Sequence, residues 1–147
     1  MELFYKLYEN LHRLGPGSVE DTLFAFSKIK ANQKNLSVLD LGCGTGASTL
    51  VLSEIIEGEI IAIDNHQPFL DFLISKYNEI PQKAKLNCIC LDMNNINFAE
   101  NKFNLIWAEG SIYNIGFENG LKKIFPFLKK DGFVVFSEMN YFQCDTP

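Results

Sequence analysis

The sequence VLDLGCGTG, which occupies residues 38–46, places a short apolar strand directly before a turn with three alternating glycines. Glycine adopts positive φ without steric cost and allows a ligand to approach the backbone closely. A helix is predicted to follow at residues 47–57, and the N–H groups of its first turn favour a carboxylate or a phosphate. The stretch therefore predicts a strand, a turn and a helix that together hold a ligand.

The rest of the chain alternates between apolar segments of strand length and segments with helical spacing of apolar residues. Besides residues 36–41, strands are predicted at residues 59–64, 86–92, 103–109 and 133–138, and helices at residues 2–14, 18–29, 68–78 and 117–130. Apolar strands separated by helices indicate a parallel sheet covered on both faces. We predict one α/β domain over residues 1–147, with a doubly wound, mostly parallel sheet and helices on both faces.

The composition is that of an ordinary globular chain, with 147 residues, 47% hydrophobic, 21% charged and a formal net charge of −5. It excludes intrinsic disorder, and no apolar run approaches the ~20 residues that a membrane span needs. The first residues lack the basic and apolar regions of a signal peptide. The acidic balance argues against nucleic acid as the main partner, because phosphate binding needs clustered Lys and Arg.

The four cysteines, Cys43, Cys88, Cys90 and Cys144, are interpreted as buried free thiols. Cys88 and Cys90 would share one face of a strand, and no further residues complete the spacing of a metal site. We therefore expect neither a metal site nor a disulfide. Free thiols indicate a reducing compartment, hence the cytoplasm.

One carboxylate falls at or near the end of each predicted strand. The five are Asp40, Asp64, Asp92, Glu109 and Glu138. Because ligands bind outside the carboxyl ends of the strands in an open parallel sheet, these acids are expected to line one site. Such a site suits a ligand with hydroxyls, amines and a positive charge, and it suits a polyphosphate poorly. The alternative is that single acids solvate strand ends and cap helices.

Two kinds of cofactor compete for the glycine turn. The pattern from Gly42 to Ala47 fits the dinucleotide fingerprint, and Asp64 follows Gly46 by about 18 residues, near the expected ribose-binding acid. No Lys-Ser/Thr pair follows the turn, which excludes a P-loop. Asp40 would repel a pyrophosphate, whereas it would help to bind the ammonium and sulfonium groups of S-adenosylmethionine.

Five stretches resemble, in order, the motifs of class I S-adenosylmethionine-dependent methyltransferases. They are VLDLGCGTG (38–46), EIIAIDNH (59–66), NCICLDM (87–93), FNLIWAEGSIYNIG (103–116) and KKDGFVVFSE (129–138). The resemblance covers about residues 15–140 and is similar in character to small-molecule methyltransferases of the ubiquinone/menaquinone-biosynthesis type. It implies a Rossmann-like fold, S-adenosylmethionine as cofactor and methyl transfer to a small-molecule acceptor.

The resemblance also implies roles for individual residues. Asp40 and the glycine turn would hold the methionine portion, Asp64 the ribose hydroxyls and Asp92 the adenine amino group. Residues 1–17 would form an N-terminal helix and a flap over the site. The implied cofactor-binding residues are Asp40, Gly42, Cys43, Gly44, Gly46, Asp64, Asn65, Asp92, Met93, Glu109 and Gly110.

Methyl transfer from a sulfonium asks little of side chains, because proximity and orientation supply much of the rate. If the acceptor must lose a proton, Glu109 is the first candidate for a general base. The other candidates are His66, His12, Tyr113 and Glu138, and the residues expected to line an acceptor pocket are Tyr5, Tyr8, Tyr113 and Tyr141.

The family fold has seven strands, whereas five are predicted in this chain. We therefore expect either a C-terminally truncated domain or a sheet completed by another chain, in a homo-oligomer formed through the edge of the fifth strand. The cofactor half would then be intact, and part of the acceptor pocket would be missing or supplied in trans. Two other functions stay open: an NAD-linked oxidoreductase, and a cofactor-binding module without turnover.

Overall fold

The computed structural model describes residues 2–9, 11–29 and 34–138, which contain five α-helices and five strands. The helices are α1 (Glu2–Tyr8), α2 (Val19–Ser27), α3 (Ala47–Ile55), α4 (Gln67–Tyr77) and α5 (Phe117–Ile124). The strands are β1 (Leu36–Leu41), β2 (Gly58–Asp64), β3 (Ala84–Cys90), β4 (Phe103–Glu109) and β5 (Leu128–Ser137). Short 3₁₀ turns lie at Met93–Asn95, Ile112–Ile115 and Phe125–Phe127.

All five strands run parallel in one sheet, in the order β3-β2-β1-β4-β5. Strand β1 lies in the centre and pairs with β2 along its whole length. It pairs with β4 at residues 38–40. The strand order reverses between β1 and β4, and ligands bind at such a switch point, outside the carboxyl ends of the strands. The predicted doubly wound α/β fold is confirmed.

Each face of the sheet packs into its own hydrophobic cluster. Alternate residues of a strand point to opposite faces, so Leu39 and Leu41 join one cluster and Val38 joins the other. The second cluster also contains Trp107 of β4 and Leu52 of α3, both buried. Burial on both faces explains why the three inner strands, β1, β2 and β4, are mostly apolar, whereas the edge strands β3 and β5 contain more polar residues.

The N-terminal helix is shorter than the predicted residues 2–14, because it ends at Tyr8. Residues 11–18 form no helix. The side chain of Arg13 turns inward to pair with the carboxylate of Glu109, and Leu11 is 45% exposed instead of buried. The apolar spacing therefore gave a wrong helix end, since in the observed path Arg13 faces inward and Leu11 faces solvent.

The second helix begins as its sequence predicts. The Oγ atom of Ser18 accepts a hydrogen bond from the backbone N–H of Asp21 at 3.1 Å. This satisfies one of the N–H groups that a helix start leaves unpaired.

Gly58 begins β2, whereas the sequence predicted it as the residue that ends the preceding helix. Helix α3 already ends at Ile55. Gly58 has a φ of 146°, and a Cβ atom at this position would lie 2.1 Å from the backbone oxygen of Leu36. The glycine is therefore required by the close approach of β1.

The predicted helix at residues 117–130 is also wrong in its second half. Helix α5 ends at Ile124, a 3₁₀ turn that contains Pro126 follows, and β5 begins at Leu128. The pairs Phe103↔Leu128 and Leu105↔Phe133 enclose a register shift. The lysines at residues 129–130, which were predicted as helical, lie in β5 within this irregular stretch.

Candidate cofactor-binding site

A cavity of about 620 Å³ opens at the carboxyl ends of the strands. Its wall combines the glycine turn after β1, the ends of β2, β4 and β5, the loop after β3, and residues of the N-terminal segment. The sequence-predicted site residues that line it are Gly42, Cys43, Gly44, Asp64, Asn65, Asp92, Met93, Glu109, Gly110 and Glu138. Asp40 and Gly46 are not among the lining residues.

The glycine turn is held by backbone hydrogen bonds to the end of β2. The N–H groups of Gly42 and Cys43 each donate to the carbonyl of Ile63 at 2.9 Å. A Cβ atom on Gly42 would lie 2.6 Å from the Cβ of Ser111. Gly46 faces away from the cavity, and a Cβ atom there would lie 2.2 Å from Leu73 of α4. The first glycine therefore shapes the cavity, whereas the last allows two helices to pack.

Asp64 ends β2 with its carboxylate fixed by the backbone. Its Oδ2 accepts from the N–H of Gly44 at 2.9 Å, and its Oδ1 accepts from the N–H of His66 at 3.0 Å. Burial raises the pKa of Asp64 above its ordinary value, and these backbone hydrogen bonds oppose that rise. Each carboxylate oxygen keeps further acceptor capacity, so that the hydroxyls of a ligand could donate to it.

Asp40 lies beneath the turn, outside the cavity. It is 2% exposed, and its Oδ2 accepts from the hydroxyl of Thr49 on α3 at 2.6 Å. Burial raises the pKa of Asp40 to about 7, the hydrogen bond from Thr49 opposes the rise, and the charges of Glu109 and Asp64 add to it. The side chain of Asp40 points to the α3 face of the sheet and not into the cavity. The predicted direct contact of Asp40 with the methionine portion stays a prediction.

The carboxylate of Glu109 accepts hydrogen bonds from three separate parts of the chain and from its own strand. Arg13 donates to Oε1. Three donors reach Oε2: Ser48 Oγ at 2.7 Å, Thr22 Oγ1 at 3.1 Å and Trp107 Nε1 at 3.2 Å. We call these five residues the Glu109 cluster. Two carboxylate oxygens offer about four acceptor positions, so the cluster argues against Glu109 as a general base.

Arg13 is the cluster member that a sequence reading could have singled out. It is the one arginine in the sequence, and among the described residues that line the cavity it is the one cationic side chain. The acids in the same lining are Asp64, Asp92, Glu109 and Glu138. The cavity wall is therefore acidic, as predicted. Its one positive charge, on Arg13, is already paired with Glu109.

The N-terminal segment covers one side of the cavity. Tyr5 and Tyr8 of α1 and residues 13–16 contribute to its wall. The ring of Tyr5 stacks on His66 with 4.2 Å between ring centroids, and His66 Nε2 lies 3.0 Å from Oε1 of Glu9. Leu14 reaches the glycine turn, where a Cβ on Gly44 would lie 2.7 Å from its Cδ1.

The other candidates for a general base differ in whether they line the cavity. His66 is engaged with Tyr5 and Glu9 and is absent from the cavity lining, as is His12, whose ring packs against Phe72 at 5.5 Å. Tyr113 lines the cavity and is 53% exposed. Tyr141 lies outside the described residues.

The described cysteines carry free thiols, as predicted, but they are not all buried. Cys43 and Cys88 are half-buried, and Cys90 is exposed because β3 is an edge strand. Burial raises the pKa of Cys88 to about 11 and that of Cys43 well above its ordinary value. Cys144 lies outside the described residues. In the described part of the chain, no group of three or more potential ligands is arranged to hold a metal ion.

A parallel sheet with a glycine turn after its central strand, and an acid after the neighbouring strand, is the arrangement of Rossmann-like nucleotide-binding domains. The chain belongs to the methyltransferase domain family, whose pattern matches residues 38–132, more than half of the chain. The predicted family is thus confirmed.

Particular relatives add detail. The chain is 29% identical over 139 residues to the carboxy-S-adenosyl-L-methionine synthase of Shewanella loihica, which covers 90% of this chain and 56% of that protein. It is 29% identical over 111 residues to phosphoethanolamine N-methyltransferase 1 of Triticum aestivum, covering 75% of this chain and 21% of that protein. The chain therefore spans about half the length, or less, of these curated relatives.

Solved structures share the fold. Phosphoethanolamine N-methyltransferase 2 of Haemonchus contortus, in complex with S-adenosyl-L-methionine, superposes with a TM-score of 0.72 at 17% identity. The match covers 91% of this chain and 31% of that chain.

Proposed function

We propose that this domain binds S-adenosylmethionine and transfers its methyl group to a small-molecule acceptor. The observation that carries the proposal is the fixed carboxylate of Asp64, held by two backbone N–H groups beside the glycine turn in a cavity of about 620 Å³. Membership of the methyltransferase domain family supports the same function. The similarity to phosphoethanolamine N-methyltransferase 1 of Triticum aestivum also supports it.

The residues present fit this cofactor. The hydroxyl of Thr45, in the glycine turn, is buried and has no hydrogen-bond partner among the described residues, so a polar group of a ligand could complete it. We assign the methionine portion to the backbone of Gly42 and Gly44, the ribose hydroxyls to Asp64 with Asn65, and the adenine to the region of Asp92 and Met93. When bound, the cofactor supplies an activated methyl group on a positively charged sulfur.

The alternative dinucleotide function fits the cavity less well. Its lining carries four carboxylates and one arginine, which Glu109 already engages. A pyrophosphate brings two negative charges into this field, whereas a sulfonium and an ammonium group bring positive ones. Electrostatic complementarity therefore favours S-adenosylmethionine over NAD.

The residues of this chain would accelerate methyl transfer mainly by holding the cofactor and the acceptor in the reactive orientation. Proximity and orientation can supply ~7–11 kcal/mol of a barrier in favourable cases. The N-terminal helix and flap, residues 1–17, of which residues 13–16 line the cavity, would exclude water from the acceptor, and fixed dipoles would replace that water. Glu109, with four donors on its carboxylate, would hold the flap in place, and Gly110 would lie near the reacting atoms.

Calorimetric titration with S-adenosylhomocysteine and with NAD tests the proposal. We expect the nucleoside thioether to bind and NAD to bind weakly or not at all. Asp64→Ala should weaken the binding of S-adenosylhomocysteine by ~1–3 kcal/mol, through loss of hydrogen bonds to a charged acceptor. The matched control is Asp71→Ala, an exposed aspartate of α4 whose carboxylate pairs with Gln67. Strong NAD binding without a response to S-adenosylhomocysteine would reject the methyltransferase function.

A second candidate function is a cofactor-binding module without turnover. It would bind S-adenosylhomocysteine in the same titration, and it would show no transfer of a labelled methyl group from S-adenosylmethionine to any acceptor.

Location and partners belong to the same proposal. No helix in the described ranges is long and apolar enough to cross a membrane. The free thiols of Cys43, Cys88 and Cys90 support a reducing compartment, and we propose the cytoplasm. We expect no nucleic-acid partner, and a homo-oligomer, if one forms, to use the edge of β5.

A further inference from the structure

Arg13 is the cationic side chain of the described cavity wall, and the proposed function gives it no contact with a ligand. It lines the cavity and keeps 20% of its side chain exposed, although it pairs with Glu109. A guanidinium carries five N–H donors. Among the described residues, Nη1 donates to Glu109 and Nη2 donates to Thr22 at 3.5 Å. Donors therefore remain on Arg13 for a ligand in the cavity.

The pair with Glu109 fixes the direction in which Arg13 points. The carboxylate of Glu109 is itself held by three further donors on Oε2. A Cβ atom on Gly17 would lie 2.9 Å from Oε1 of Glu109 and 3.2 Å from Nη1 of Arg13, so the backbone covers the pair on one side. A planar guanidinium that is already held in place loses little further freedom when it binds a ligand.

Arg13 lies beside the part of the cavity to which we assign the methionine portion of the cofactor. The next residue, Leu14, reaches the glycine turn, where a Cβ on Gly44 would lie 2.7 Å from its Cδ1. Ser48, in the first turn of α3, donates at 2.7 Å to the same carboxylate with which Arg13 pairs. The guanidinium, the glycine turn and the start of α3 therefore meet at one end of the cavity.

The methionine portion carries a carboxylate as well as an ammonium group. The acids of the described cavity wall would repel this carboxylate; they are Asp64, Asp92, Glu109 and Glu138. A guanidinium can offset that repulsion, because it donates two parallel N–H groups to a carboxylate. Among the described lining residues, Arg13 is the one side chain able to do so. The ammonium and the sulfonium keep the net charge of the whole cofactor positive, unlike that of a pyrophosphate.

We propose that Arg13 binds the carboxylate of the cofactor's methionine portion, and that Glu109 is the positioning residue that holds the guanidinium in place. This inference rests on the proposed function. It gives the N-terminal segment a direct part in recognising the cofactor, besides that of a cover. It also accounts for an arginine at this position in a chain whose other basic residues are all lysines.

Two ligands that differ only in the carboxylate test the role of Arg13. They are S-adenosylhomocysteine and its decarboxylated analogue, in which hydrogen replaces the carboxylate. In calorimetry, wild-type protein should bind S-adenosylhomocysteine about 10-fold or more tightly than the analogue, the size expected of hydrogen bonds between charged groups. In Arg13→Gln this preference should fall to about twofold or less. Arg13→Lys should keep part of it, since an ammonium retains the charge but not the paired donors.

The ratio of the two affinities separates recognition of the carboxylate from a structural role. A structural effect of Arg13→Gln, such as release of the N-terminal segment, weakens both ligands alike and leaves their ratio unchanged. The matched control is Lys122→Gln, which removes an exposed cation of α5 from its pair with Glu118 and should keep the wild-type ratio.

Two results would overturn the role of Arg13. One is an unchanged ratio in Arg13→Gln, which would leave the carboxylate to the first turn of α3 alone. The other is wild-type protein that binds S-adenosylhomocysteine and the decarboxylated analogue equally well. Wild-type protein that binds no S-adenosylhomocysteine at all would instead overturn the proposed function.

Discussion

The two sides of the cavity are built by different means. On the β2 side, the glycine turn and Asp64 are joined by backbone hydrogen bonds within a segment of about 25 residues, from Gly42 to His66. On the β4 side, the Glu109 cluster is joined by side chains from Arg13, Thr22 and Ser48, which are far away in sequence. The first side depends on local backbone geometry, and the second depends on the whole fold being assembled.

This difference predicts that the two sides respond separately to mutation. A change within the Glu109 cluster should release the N-terminal segment and leave the glycine turn intact. A change in the turn should alter ligand binding and leave the Arg13–Glu109 pair in place. Tryptic cleavage after Arg13 reports the release of the N-terminal segment, and hydrogen exchange at residues 42–46 reports the state of the glycine turn.

The largest loss in the free energy of unfolding is expected for Glu109→Ala. The substitution leaves Arg13 without its partner and removes the acceptor of Ser48, Thr22 and Trp107. Breaking a largely buried ion pair by removing one partner costs ~3–5 kcal/mol, and we expect a loss of that order in the free energy of unfolding by urea. Tryptic cleavage after Arg13 should become faster.

The control for this variant is Glu118→Ala. Glu118 pairs with Lys122 on the exposed side of α5, at 3.9 Å. Exposed pairs contribute ~0–1 kcal/mol, so this substitution should have little effect. Equal and small effects of the two alanine variants would show that the Glu109 cluster does not hold the N-terminal segment.

The second prediction concerns how the free energy of unfolding depends on pH through Asp40, which lies beneath the glycine turn. Burial raises the pKa of Asp40 to about 7, from an ordinary value of 3.8. Between these values the folded chain holds a proton at Asp40 that the unfolded chain has lost, so the stability from this group falls as pH rises from about 4 to 7 and is constant above. From the pKa difference, the loss is on the order of 4 kcal/mol.

Asp40→Asn isolates that contribution. The amide cannot ionise, so the variant should gain stability relative to wild type when urea unfolding is measured at pH 8 instead of pH 4.5. Asp71→Asn, on the exposed face of α4, is the control and should show no such gain. A constant difference between Asp40→Asn and wild type across this range would mean that Asp40 does not stay protonated in the folded chain.

The same contrast explains how much of the molecule could be predicted from sequence. The bounds of β1 and β4 were predicted correctly, because both strands are buried and their apolar runs end at a polar or glycine residue. The glycine turn was recognised because its spacing is local. Gly58, in contrast, looked like the end of a helix, since only the neighbouring strand reveals that its missing Cβ makes room for Leu36.

The Glu109 cluster could not be predicted in the same way. Arg13 and Glu109 are 96 residues apart, and their meeting depends on the strand order β1-β4 together with the path of residues 11–18. Sequence spacing carries no information on such a pair until the fold is known. The apolar pattern even favoured a helix through residue 14, because helical periodicity takes no account of an ion pair with a distant strand.

The smallest effect is expected in the glycine turn, where Gly42→Ala can be compared with Gly15→Ala. Gly42 has a φ of 71°, and its Cβ would lie 2.6 Å from the Cβ of Ser111, so alanine should cost ~1–3 kcal/mol of stability. Gly15 also lines the cavity, but a Cβ there would meet nothing within 4 Å. Alanine at Gly15 should therefore be nearly neutral. Because the strain at Gly42 is local, its variant should keep slow tryptic cleavage after Arg13 while it binds S-adenosylhomocysteine more weakly. Faster cleavage after Arg13 together with faster amide exchange at residues 42–46 would mean that the two sides of the cavity form one cooperative unit.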